Sequence, residues 1–121
     1  MSYIHAEGYA AGELKHGPIA LIERDFPVVV IAPGDASFEK TMSNMQEVLA
    51  REGRPVLITD QKGASLAPSG RWDTLVLPTV PAICAPIVFA LPLQLLAYNA
   101  AVALGTDVDK PRNLAKSVTV E

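Results

Sequence analysis

The sequence predicts an α/β fold built on a parallel sheet, and three observations carry that prediction. Three short apolar runs, at 27–32 (PVVVIA), 55–59 (PVLIT) and 73–77 (DTLVL), are continuous rather than alternating. Runs of this kind fit strands buried on both faces. An amphipathic stretch of helical period separates the first two runs, and a long apolar segment follows the third. The resulting order (strand, helix, strand, loop, strand, helix) is the signature of a parallel sheet with crossover helices.

Residues 1–26 open without a clear start signal, and Gly8, Gly12 and Gly17 interrupt any long helix there. Pro18 is suited to a first helical turn, so a short helix over 18–22 is expected. The first strand is closed by Pro33-Gly34. Ser37 is a candidate N-cap, although Lys40 three residues on leaves the capping box incomplete. Phe38, Met42, Met45 and Leu49, with Val48 beside them, form a stripe that belongs in the core, and Gly53 is expected to end that helix. Residues 60–71 read as a turn-rich loop, with Trp72 packing at the junction with the third strand. The long helix follows Pro81.

Residues 82–104 are apolar over about the length of a membrane span. Pro86, Pro92, Gln94 and Asn99 argue against spanning, as does the lack of a basic flank on either side. A buried, proline-kinked core helix is expected instead. Cys84, the single cysteine, sits in an apolar run as a small core residue would, and it excludes an internal disulfide. Residues 107–121 (DVDKPRNLAKSVTVE) lack helical period and form an extended tail, with Asp107, Asp109, Lys110 and Arg112 as candidate anchors. Three strands make a narrow sheet and two substantial helices cannot cover both faces. Either upstream elements or a partner should cover the open face.

With 121 residues there is room for one domain and one core. Half the residues are apolar and the net charge is −3, which fits a globular chain and argues against a nucleic-acid surface. No basic region and apolar signal core open the chain, so a reducing, cytoplasmic setting is expected. Two histidines without further His/Cys clustering give no metal site, and no cofactor is implied.

Three blocks then carry a resemblance. They are Ala10-Ala11-Gly12-Glu13-Leu14-Lys15-His16-Gly17-Pro18, then Pro92-Leu93-Gln94-Leu95-Leu96-Ala97-Tyr98, and the tail from Asp107 to Glu121. In order and over the whole chain, they resemble the isomerizing glutamine–fructose-6-phosphate aminotransferases, or glucosamine-6-phosphate synthases. The tail block is the specific part, since AAGELKHGP alone suggests only the wider sugar-isomerase (SIS) superfamily. The resemblance implies an SIS-type, flavodoxin-like three-layer sandwich that is incomplete. Residues 1–106 correspond to the later part of a second SIS domain and 107–121 to the active-site tail. The glutaminase domain and the first SIS domain have no counterpart here.

The same resemblance implies the site. Lys116 would form a Schiff base with open-chain fructose 6-phosphate, and Ala115 would lend a backbone group to the sugar. A free lysine with a pKa of 10.4 is only about 0.1% neutral at pH 7.4, so the amine needs a lowered pKa to react. His16 would open the sugar ring, reaching into the neighbouring subunit of a homodimer; an imidazole can both take and give a proton near neutrality. His5, Glu7 and Glu13 are assigned no role, since sequence spacing does not establish their contacts. The family's isomerisation glutamate precedes the stretch matching Ser2-Tyr3-Ile4-His5, ahead of Met1. The chain alone is therefore expected to be inactive in making glucosamine 6-phosphate. A non-catalytic SIS module for sugar-phosphate binding or dimerisation is the alternative. Another SIS enzyme acting on a different phosphosugar is disfavoured by the LAKSVTVE ending.

Overall fold

The computed structural model describes residues 2–110. The expected strands form as β1 (Pro27–Ile31), β2 (Arg54–Asp60) and β3 (Asp73–Leu77). They pair in parallel in the order β1-β2-β3, with Ile31 opposite Ile58 and Ile58 opposite Leu75. The chain divides into two units, Glu7–Phe89 and the combination of Met1–Ala6 with Ala90–Glu121. The first contains the sheet.

In that unit α1 (Phe38–Leu49) crosses from β1 to β2. Its Phe38, Met42, Met45 and Val48 recur every three or four residues, fall on one face and are buried. Phe38, Met42 and Met45 form the core cluster with Ala32 and Leu57, and Val30, Ala67 and Trp72 pack against it. Burial of each large side chain is worth about 1.5–3 kcal/mol. The stripe closes through Val48 rather than Leu49, which is only half-buried.

Side chains alternate along a strand, so Val29, Ile31, Leu75 and Ile58 share the opposite sheet face. Ile58, on the central strand, is buried, whereas Val29, Ile31 and Leu75 are 36, 39 and 45% exposed. The sandwich is thus well filled on the α1 face and thin on the other, in line with an incomplete three-layer architecture.

Several expectations need correction. Residues 60–71 are not all loop, because α2 (Gln61–Leu66) forms there. Its cap is Asp60, whose side chain accepts from the Gly63 N–H, so a residue read as a turn former starts a helix. Ser37 precedes α1 but makes no capping bond; its hydroxyl donates to Asp35 instead. After α1 the left-handed residue is Glu52, at φ 62°, and not Gly53. Glu52 N–H donates to Leu49 O and Gly53 N–H to Val48 O, which closes the helix as a Schellman motif. Gly53 is needed for space. A Cβ there would lie 2.7 Å from Val48 Cγ1 and 2.8 Å from Ile22 Cγ2.

The largest correction concerns α3 (Ala85–Ala103), which follows a 3-10 turn at Ala82–Cys84. The helix forms over the expected residues with Pro92 inside it, but it is not buried. Within its most apolar window only 6% is buried, and Ile87, Leu91, Leu95, Leu96 and Val102 are exposed. It remains the one helix among the described residues long and apolar enough to cross a membrane. Cys84 is exposed too, so its apolar neighbours misled the assignment to the core. A hydrophobic helix reports a need for cover, and the cover need not lie in the same chain.

In the second unit α3 ends at Gly105, with φ 67°, where Gly105 N–H donates to Val102 O and Thr106 N–H to Ala101 O. Asp107 then accepts from the N–H groups of Asp109 and Lys110, both at 2.9 Å. This is a local Asx turn; Arg112, the remaining candidate anchor, lies outside the described residues.

Candidate functional site

The segment carrying His16 folds as two successive 3-10 helices, Ala11–His16 and Pro18–Leu21. Three glycines within ten residues make a long α-helix costly, and 3-10 turns are the short alternative. His16 is the last residue of the first helix. Gly17 follows at φ 155°, a value that L side chains rarely adopt, and nothing lies within 4 Å of where its Cβ would be. The glycine therefore serves the backbone turn rather than a tight contact. Pro18 starts the second helix, and Ile19 buries itself. Ile19 holds the turn down while Lys15 and His16 stay exposed. An imidazole so placed can meet a molecule or surface outside the unit.

The remaining polar residues of this region are only partly joined. Tyr9 donates its hydroxyl to Glu7, and that hydrogen bond, assisted by the carboxylate's charge, holds the Tyr9 phenol above its ordinary pKa of 10.0. Glu13 and His16 lie three apart, spacing that stacks side chains on a 3-10 helix. Even so, no hydrogen bond or ion pair joins them among the described residues. Lys116 and Ala115, together with Pro111 and Arg112, lie outside the described residues.

The carboxyl ends of β1 and β2, where open α/β sheets usually bind ligands, are closed by a polar joint. Thr59 Oγ1 donates to Ala32 O at 2.6 Å, and Asp60 Oδ1 accepts from the N–H groups of Gly63 at 2.7 Å and Gly34 at 3.2 Å. Thr59 and Asp60 are the buried polar residues of the core, and no buried side-chain polar atom lacks a partner among the described residues. The glycines are required by proximity: a Cβ on Gly34 would lie 2.5 Å from Gly63 N, and one on Gly63 would lie 2.0 Å from Thr59 Oγ1. Sequence reading did not find this joint. Its signal was the pair Thr59-Asp60 at the end of an apolar run, followed by Gly63 at the capping distance.

A shallow concavity lies at the other end of the strands, with a volume of about 350 Å³ and Arg24, Asp25, Glu52 and Arg71 around it. Arg24 is already bound to Glu52 by two hydrogen bonds at 3.0 Å. Asp25 N–H donates to Glu52 O, and both residues have left-handed backbones. This cluster joins the entries to β1 and β2. As an exposed ion pair it is worth about 0–1 kcal/mol. Its position at the amino edge and its matched charges do not favour it as a sugar-phosphate site.

Comparison with known proteins adds what geometry leaves open. Residues 1–104 match the SIS domain family. The chain is 67% identical over all 121 residues to a protein of Bartonella quintana named glutamine–fructose-6-phosphate aminotransferase [isomerizing]. It is 69% identical over the same span to a protein of that name from Rhizobium meliloti. Both alignments cover 100% of this chain and 20% of the relative, so the chain spans about a fifth of the length of the curated relatives it matches. Among solved structures it resembles the C-terminal domain of glucosamine-fructose-6-phosphate aminotransferase from Francisella tularensis. That match has a TM-score of 0.85 and 46% identity, and covers 90% of this chain and 30% of that one.

Proposed function

We propose, from the premise that this chain belongs to the SIS domain family, that it is the C-terminal isomerase part of an isomerizing glutamine–fructose-6-phosphate aminotransferase. The observation that carries this reading is the alignment over the whole 121-residue chain, tail included, at 67–69% identity to enzymes of that name. The whole enzyme would make glucosamine 6-phosphate from fructose 6-phosphate and glutamine.

In this reading the tail supplies the nucleophile. Lys116 adds its neutral amine to the carbonyl carbon of the open-chain ketose, and loss of water leaves an imine. Desolvation under the closed tail, or a nearby cation, would lower the lysine pKa by the few units that this requires, at about 1.36 kcal/mol per unit. Ala115 would hold the sugar through its backbone. His16 would move the proton that opens the ring, acting on the site of a second subunit in a homodimer. Its exposed position at the end of a 3-10 helix, fixed by Gly17 and Ile19, suits delivery across an interface. Ammonia released from glutamine elsewhere in the enzyme would replace the lysine, and a 1,2-proton shift would give the aldose.

The exposed surface of α3 and the thin face of the sheet are, in this reading, where the remainder of the enzyme packs. The setting would be cytoplasmic. The 121-residue chain, incubated alone with fructose 6-phosphate and glutamine, is expected to form no glucosamine 6-phosphate. Turnover by the isolated chain would refute the assignment of the missing steps to other segments.

A further inference from the structure

We draw no further inference here: the strongest candidate, the charge-free apolar surface of α3 between Ile87 and Val102, is already assigned to the remainder of a longer enzyme by the proposed function, and nothing in the structure shows what else covers it.

Discussion

Asp60 accepts the Gly63 N–H at 2.7 Å, and through the same oxygen it also accepts the Gly34 N–H. One carboxylate thus ends β2, caps α2 and ties down the loop after β1. Asp60→Ala removes the cap and strands two buried donors, and should cost about 2–3 kcal/mol. Asp60→Asn keeps an acceptor and should lose less than half of that. Urea unfolding midpoints of the two variants measure the difference, and equal losses would contradict the role given to the oxygen.

Gly63→Ala tests the same joint from the other side. Alanine favours helices by roughly 1 kcal/mol over glycine, which alone would stabilise α2. Against that, the new Cβ meets Thr59 Oγ1 at 2.0 Å and Phe38 Cε2 at 3.0 Å. Overpacking of this kind costs about 1–3 kcal/mol and should win, giving a net loss in the unfolding free energy. A stabilised variant would show that the joint has slack.

Asp35 gives a pH dependence with a definite sign. Ser37 donates to its Oδ1 from the hydroxyl at 2.6 Å and from the backbone N–H at 2.8 Å, which holds the carboxyl below its ordinary value of 3.8. The charged form is therefore favoured in the folded state. Its contribution is fully present above the unfolded value and is lost as pH falls through the folded one. Wild type should be more stable than Asp35→Asn at pH 7, and the gap should close as pH falls below 3.8 and through the lowered folded value. Ser37→Ala should move the Asp35 titration upward when followed by NMR.

The exposure of α3 separates it from the core by the cost of mutation. Met45 is 1% exposed and Leu95 61% exposed. Met45→Ala should cost about 2–5 kcal/mol in the 121-residue chain. Leu95→Lys should stay within about 0.5 kcal/mol and improve solubility. A loss above about 2 kcal/mol at Leu95 would mean that the helix finds cover within the chain itself.

The strands, α1 and the span of α3 were legible because local pattern determines them. Continuous β-branched runs leave few alternatives to buried strands, and Phe38, Met42 and Met45 can share a face only on a helix. Whether α3 is buried was not legible, since composition states that Leu91 and Leu95 need cover without saying which chain provides it. The helix after Asp60 was hidden by Gly63, Ser65 and Pro68, which dominate a local reading. Close packing against Thr59 explains Gly63, and that contact is long-range. His16 and Lys116 stood out only through the motifs around them. Nothing in the spacing of an exposed histidine and a tail lysine distinguishes chemistry from solvated charge.

The most direct test of the proposed function is borohydride trapping in the full-length enzyme that carries this chain as its C-terminal part. Reduction in the presence of fructose 6-phosphate would convert the imine to a stable secondary amine, located by mass spectrometry of the tail peptide. The expected result is a sugar-phosphate adduct on Lys116 that is absent from the Lys116→Arg variant. Full labelling of that variant would contradict the account.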